Sequence, residues 1–175
     1  MSYQYQFEQE IYSAIEPIPL SAQFRMDSIG VKIRPETWNV LSKETRLLFS
    51  HISVKSEKDR ECFKIYFLYL LKRKRRQVHL MDREEIARER NEWENLIQIP
   101  ARVYQMAVDL DYTLFQEDWI KLSDFKRYAL VKLSKGHYSE SYLRKALAEL
   151  FGFEPQVPAW NSKSANYSGS LEQAI

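Results

Sequence analysis

The sequence predicts an all-α protein, and three observations lead to that fold class. Its 175 residues are 45% hydrophobic and include 11 Tyr, 9 Phe and 4 Trp, enough apolar material for a sizeable core. Only 4 Gly and 6 Pro are present, too few for an all-β chain built on tight turns. Apolar residues also recur at three- and four-residue steps between helix start and stop signals. One helical domain, or two small halves packed on each other, is expected.

An internal repeat organises these helices. Residues 18–53 and 99–134 align without a gap and share 8 identities in 36 positions, where unrelated segments would share about two or three. We therefore expect two pseudo-symmetric multi-helix units joined by a charged helical arm. Repeat one lies at about 18–71, the arm at 72–98 and repeat two at about 99–152. Helix-start chemistry that occurs twice by accident is the alternative interpretation.

Repeat one carries four helix predictions in order. A helical period over 20–29 stops at Gly30, a residue that suits the left-handed end of a helix. Pro35 fits the first turn of the next helix, where its missing N–H costs nothing. Ser42 and Ser56 can cap two further helices, of which the second is long and rich in apolar residues.

Repeat two is predicted to follow the same plan. Pro100 opens a helix, Ser123 caps another, and Ser139 begins an amphipathic helix. The first of these helices is predicted to bury one set of apolar residues: Val103, Tyr104, Ala107, Val108 and Leu110. The folded domain is expected at 1–153, because 154–175 is rich in Ser, Asn and Pro and is predicted to be a disordered tail.

The segment between the repeats is strongly charged and is predicted to be an exposed helical hairpin arm. It opens with five consecutive basic residues, here called the basic run: Lys72, Arg73, Lys74, Arg75 and Arg76. Asp82 then begins a capping-box pattern with Glu85. Clustered Lys and Arg raise the local positive potential, so the basic run is our candidate for docking a partner protein. A solvated helix end and a nucleic-acid contact are the alternatives.

Other residues give no pattern typical of catalysis, and we predict no catalytic, cofactor-binding or metal-binding residue. The three histidines are far from one another in sequence: His51, His79 and His137. None can form a local metal pair with another histidine or with Cys62, which is expected to be buried in its apolar stretch. The neighbouring acids Asp109 and Asp111 are expected at a solvated helix end.

Two residue types recur between the halves, Trp38 with Trp119 and Arg46 with Arg127. A ligand site between the repeats is one interpretation, and equivalent packing in each half is the other. The net charge is +2, no run reaches 18 apolar residues, and the amino terminus lacks a secretory pattern. We expect a cytoplasmic protein without a membrane span, and the oligomeric state stays open.

A family resemblance adds to this interpretation. The segment from Ile18 to Ile33, followed by Trp38, resembles the signature block of the nitrate reductase-associated protein family. That block reads approximately I-P-M-x-V-R-x-K-L-D-x-x-G-I-K-L and then a tryptophan. Residues 127–134 resemble the family's second block, and the similarity extends over roughly residues 5–153. Gln23 replaces an arginine of the block, while most other departures are conservative.

The resemblance implies an accessory factor for assimilatory nitrate reductase, typified in cyanobacteria. It implies a non-enzymatic role in the maturation, stability or electron supply of an enzyme that depends on a molybdenum cofactor, with the cofactors held by that partner. It supplies no catalytic residues. We therefore expect protein–protein contact through exposed aromatic residues and the basic run. A nucleic-acid-binding regulator that uses the same run and a small-ligand-binding protein with a site between the repeats are the alternatives.

Overall fold

The computed structural model describes residue 6 and residues 18–151, which are mostly helical. This described part contains nine helices and one two-stranded sheet. In chain order they are α1 Leu20–Ser28, β1 Val31–Lys32, α2 Pro35–Asn39, α3 Lys43–His51, α4 Glu57–Arg73, β2 His79–Leu80, α5 Arg83–Glu94, α6 Ala101–Asp109, α7 Gln116–Lys121, α8 Asp124–Lys135 and α9 Glu140–Phe151. The all-α prediction is confirmed. The predicted tail at 154–175 lies outside the described residues.

Serine side chains begin three of these helices, as the sequence predicted. The Thr45 N–H donates to Ser42 Oγ at 3.3 Å before α3, and the Lys126 N–H donates to Ser123 Oγ at 3.4 Å before α8. Ser56 begins α4 with a reciprocal capping box. Each bond satisfies an N–H that the first helical turn leaves without an intrahelical partner, so the helix starts are set by local sequence.

The two halves correspond at a spacing of 81 residues. Helix α1 begins at 20 and α6 at 101, while α3 begins at 43 and α8 at 124. After α1, Gly30 has φ of 68°, and after α6, Asp111 has φ of 61°. These correspondences favour the internal duplication. The duplication and the domain limits both stay predictions.

The short antiparallel ribbon of β1 and β2 is an element that the sequence analysis missed. Val31 pairs with Leu80, and Lys32 pairs with His79. The Met81 N–H also donates to the Gly30 carbonyl at 3.0 Å. The ribbon therefore fastens the segment after the basic run to the end of α1.

Two buried clusters form the core of the described residues, one in each half. The first includes Trp38, Phe49, Phe63 and Phe67. The second includes these buried side chains: Trp93, Val103, Trp119, Tyr128, Leu133 and Leu147. Phe24 of α1 packs against both clusters, so α1 joins the two halves.

The prediction of an exposed arm is wrong for α5. Trp93 is only 2% exposed, and its ring stands edge-on to Tyr128 with centroids 5.0 Å apart. Helix α5 packs against α1 and α8. Met81, just before this helix, is also buried. The apolar stripe of this segment is sparse and was not recognised in the sequence among the many charged residues. It is nevertheless sufficient to bury one side of the helix.

Candidate docking surface

The basic run occupies the end of α4 and the turn that follows. Lys72 and Arg73 lie in the last helical turn, where cations complement the helix dipole. The Arg75 N–H donates to the Lys72 carbonyl and the Arg76 N–H to the Leu71 carbonyl, each at 3.0 Å, which is a Schellman turn. Arg75 therefore has φ of 52°, a left-handed conformation that normally selects glycine. The turn divides the basic run into two parts.

The second part of the run lines what we call the basic groove, a depression of about 650 Å³ beside the β1–β2 ribbon. Its lining includes five basic or titratable nitrogen side chains: Lys32, Arg34, Arg75, Arg76 and His79. Glu36 is the acidic residue in the described part of the lining. Among the described residues, Arg34, Arg75 and Arg76 form no ion pair with a carboxylate, since the charged pairs of this region belong to other residues. The groove therefore has unneutralised positive charge and attracts anions.

The first part of the run lies beside an apolar face of α4. The Arg73 guanidinium carbon is 5.7 Å from the centre of the Tyr69 ring, within the range of a cation–π contact. Ile65, Tyr66 and Tyr69 are 65%, 43% and 55% exposed and share this face through their helical spacing. The aromatic residues expected at a docking surface are thus present next to the basic run.

Cys62 lies on the same outward face of α4, and the prediction that it is buried is wrong. The buried stripe of this helix is formed by Phe63, Phe67 and Leu71, which follow one another at four-residue steps. Cys62 is one position, about 100°, away from that stripe, so an apolar neighbourhood in the sequence did not place it in the core.

A second cavity, here called the apolar pocket, has a volume of about 510 Å³ and adjoins the basic groove. Lys32, Ile33 and Glu36 line both spaces. The apolar lining of the pocket comes from five side chains: Ile18, Met26, Val31, Ile33 and Pro35. Asp27 of α1 and Lys132 of α8 also line it, so the pocket lies where the two halves meet.

A buried polar cluster forms the side of the apolar pocket next to α8. The Tyr128 hydroxyl donates to Asp27 Oδ2 at 2.7 Å, and Lys132 Nζ lies 2.7 Å from the same oxygen. Complete burial, followed by the charge and hydrogen bond of Asp27, raises the pKa of Tyr128 well above its usual value of 10.0. Tyr128 therefore stays protonated and holds the carboxylate of Asp27 in place.

Lys32, on the boundary between the pocket and the groove, is held by Glu89 of α5 at 2.5 Å. Partial burial alone would lower the pKa of Lys32, but the hydrogen bond and charge of Glu89 outweigh it and raise the pKa. Burial alone would likewise raise the pKa of Glu89, but the hydrogen bond and charge of Lys32 lower it. Each partner thus stabilises the charged form of the other, and Lys32 remains a cation at the rim.

The structure places the four inter-repeat candidates in the core. Trp38 belongs to the first cluster, and Arg46 is 8% exposed. In the second half, the Arg127 guanidinium carbon lies 5.9 Å from the Trp119 ring centre, and Arg127 Nε donates to the Trp93 carbonyl at 2.6 Å. None of the four lines the basic groove or the apolar pocket. A ligand site among them stays a prediction, while packing accounts for their burial.

The remaining candidates are dispersed over the surface. His51, His79 and His137 are exposed, and so are Asp109 and Asp111, as expected for a solvated helix end. Within residues 18–151, no three His, Cys, Asp or Glu side chains come close enough to hold a metal ion. In the same residues, no helix has both the length and the apolar character needed to cross a bilayer.

Lys32 and Arg34 were not predicted from the sequence as companions of the basic run. The available signal was an alternation of apolar and basic residues over 31–34, matched by Val78, His79 and Leu80. Such a period of two predicts paired strands. A prediction of the ribbon would also have predicted that Arg34 lies close to Arg76.

Comparison with known proteins gives one family. No curated protein and no solved structure matches the chain. The model of a family described as conserved nitrate reductase-associated protein matches residues 4–150, which include the basic groove, the apolar pocket and both halves of the fold. The resemblance found in the sequence is confirmed, and the chain belongs to the nitrate reductase-associated protein family.

Proposed function

We propose that this protein is a non-enzymatic accessory factor that supports assimilatory nitrate reductase through direct protein–protein contact. Membership of the nitrate reductase-associated family supports the link to that enzyme. The observation that carries the contact is the basic groove, where Arg34, Arg75 and Arg76 have no carboxylate partner among the described residues. Unneutralised arginines of this kind steer an acidic surface into place and then form charge-assisted hydrogen bonds with it.

The exposed face of α4 gives this contact an apolar component. Ile65, Tyr66 and Tyr69 project from the helix that ends in the basic run. Aromatic side chains and arginine commonly dominate the binding energy of protein interfaces. The proposed docking surface therefore combines a charged groove with a neighbouring aromatic face.

The internal charges of the protein support a scaffold role in place of catalysis. Asp27, Tyr128 and Lys132 bind one another, and Lys32 binds Glu89, so these titratable groups already stabilise the fold. We propose that the cofactors of nitrate reduction reside in the enzyme. We also propose a cytoplasmic location, in keeping with an exposed free thiol at Cys62 that persists in a reducing compartment.

The test is complementation of a strain that lacks the gene, grown on nitrate or on ammonium. The wild-type gene should restore growth on nitrate. A variant with Arg34→Glu, Arg75→Glu and Arg76→Glu should not, although growth on ammonium is normal. The matched control reverses three exposed basic residues outside the groove: Lys58→Glu, Arg83→Glu and Arg88→Glu.

The amount and the activity of nitrate reductase in the lysates of these strains distinguish maturation or electron supply from stability. Enzyme polypeptide that is present but inactive indicates maturation or electron supply, and a reduced amount of polypeptide indicates stability. Equal nitrate reductase activity with and without the gene would contradict the proposed function. Full nitrate reductase activity with the Arg34→Glu, Arg75→Glu, Arg76→Glu variant would be compatible with an accessory role. It would show that the basic groove is not the contact surface.

A further inference from the structure

The apolar pocket and the basic groove share one rim, and this continuity defines the chemistry of what binds there. We propose that together they form one channel for an extended segment of the partner that carries an apolar anchor next to acidic residues. The inference rests on the proposed function, since it specifies the part of the partner that is recognised. It assigns the apolar anchor to the pocket and the carboxylates to the arginines of the groove.

The apolar pocket suits an aliphatic anchor. Five of its ten described lining residues are apolar and the other five are polar or charged, and its volume of about 510 Å³ lies within the range of ligand pockets. No Phe, Tyr or Trp is present in the part of its lining that the structure describes. An aliphatic side chain that leaves water for such a pocket gains the ordinary hydrophobic free energy of transfer.

The basic groove suits carboxylates. The guanidinium groups of Arg34, Arg75 and Arg76 come from two different chain segments that border the same space of about 650 Å³. A guanidinium binds a carboxylate through two parallel N–H donors, which a lysine cannot reproduce. Acidic side chains of the partner would supply the anions that the described residues do not provide to these three arginines.

The junction between the two spaces restricts the segment further. Lys32, Ile33 and Glu36 lie on the shared rim, and Lys32 is already paired with Glu89. The carboxylate of Glu36 repels an acidic residue at this point. The segment is therefore expected to carry a neutral spacer between the anchor and its acids. An extended chain advances about 3.3 Å per residue, so a few residues are enough to reach from one space to the other.

A protein segment fits the channel better than a nucleic acid does. Single-stranded nucleic acids are held by aromatic side chains on which bases stack. Among residues 18–151, no Phe, Tyr or Trp lines either space, and Glu36 would repel a phosphate backbone at the junction. In the described lining, base stacking would depend on His79 and the arginines, without the larger rings of Phe, Tyr or Trp.

The experiment measures fluorescence anisotropy of fluorescein-labelled synthetic peptides added to the full chain. The probe has two leucines, a Gly-Ser spacer and three glutamates, and it is made in both chain directions. We expect saturable binding of one direction. Replacing the leucines with serines should weaken it at least tenfold, and replacing the glutamates with glutamines should weaken it at least tenfold and remove its dependence on salt.

Variants of the protein locate the binding. Arg76→Glu in the groove and Pro35→Glu at the pocket should each weaken binding of the probe at least tenfold. Pro35 is exposed at the first position of α2, where Glu is favourable, so this variant keeps its fold. The matched control is Arg88→Glu, which makes the same charge change at an exposed arginine of α5 outside the docking surface, and it should weaken binding less than threefold.

Three results would overturn the inference. The first is equal affinity for the probe and for its serine or glutamine versions. The second is an equal effect of Arg88→Glu and Arg76→Glu. The third is tighter binding of a labelled uridine dodecamer than of the probe. None of these results contradicts the proposed function itself, which fails if nitrate reductase activity does not depend on the gene.

Discussion

Replacing Tyr128 with phenylalanine tests the buried contact that joins α1 to α8. The side chain is fully buried, and its hydroxyl donates to Asp27 Oδ2 at 2.7 Å. The substitution removes this hydroxyl but keeps the ring, which lies 5.2 Å from Phe24 and 5.0 Å from Trp93 between centroids. Lys132 still contacts Asp27, so the carboxylate loses one of two partners. The change thus isolates a single hydrogen bond between the two halves.

The expected magnitude follows from the charge of the acceptor. A hydrogen bond to a charged group contributes about 1.5–3 kcal/mol to folding. Because Lys132 remains in contact with Asp27, we expect the lower part of this range, a loss of about 1.5–2 kcal/mol in the free energy of unfolding. For a chain of this size each kcal/mol lowers Tm by about 2–4 °C, so Tm should fall by about 3–8 °C.

Urea unfolding followed by tryptophan fluorescence measures this loss. The matched control is Tyr104→Phe, because Tyr104 is 54% exposed. Water contacts this exposed hydroxyl in the folded and the unfolded chain alike, so the free energy of unfolding of the control should stay within about 0.5 kcal/mol of the wild type. A loss below about 0.5 kcal/mol for Tyr128→Phe would refute the assignment of this bond as a tie between the halves.

Three further substitutions probe the backbone and the charges around the channel. Arg75→Gly should raise the free energy of unfolding by about 0.5–1 kcal/mol, because Arg75 has φ of 52°, a conformation that glycine adopts without strain. The same substitution should weaken binding of the acidic probe. Unchanged or lower stability in urea would contradict the left-handed turn. Gly30→Ala should lower the free energy of unfolding by about 2–4 kcal/mol, since Gly30 has φ of 68° and an added Cβ would lie 2.3 Å from Ile86 Cδ1. A loss under about 1 kcal/mol would contradict this geometry. The pKa of Glu89 is lowered in the folded state, so its contribution is present above the unfolded pKa and is lost as pH falls through the folded pKa. Glu89→Gln, which also leaves Lys32 without its partner, should therefore make the free energy of unfolding fall less steeply with decreasing pH below about pH 4.3. Unfolding is measured at several pH values, and the same pH dependence in the variant and the wild type would exclude this linkage.

The helices could be predicted because their boundaries depend on nearby residues. The hydroxyls of Ser42, Ser56 and Ser123 cap the helices that they were expected to cap, and Gly30 adopts the predicted left-handed conformation. Each of these signals acts within about one turn of the chain, so a single sequence contains the whole interaction.

The choice of buried face was harder to predict. Tyr104 and Val108 were expected in the core but are 54% and 48% exposed. The buried stripe of α6 is formed by Val103, Met106 and Ala107, with Leu110 at the following helix end. The two stripes differ by only one position, about 100° around the helix, and both are apolar. The packing of α8 against α6 selects one of them, and that contact is not local.

The candidate site depended still more on distant contacts. The basic run was recognised from its composition, but its division at Arg75 and the approach of Arg34 depend on a turn and a two-stranded ribbon. The apolar pocket needs Asp27 and Lys132, which are more than 100 residues apart in the chain. Only the packing of the two halves brings such residues together.

Direct contact is tested by measuring, at low and at high salt, how purified nitrate reductase from the same cells binds to the immobilised chain. We predict binding that weakens with added salt and is lost with the Arg34→Glu, Arg75→Glu, Arg76→Glu variant. The variant with Lys58→Glu, Arg83→Glu and Arg88→Glu should bind as the wild type does. Absence of binding to the wild-type chain at either salt concentration would contradict direct contact, and equal binding by both variants would contradict the role of the basic groove.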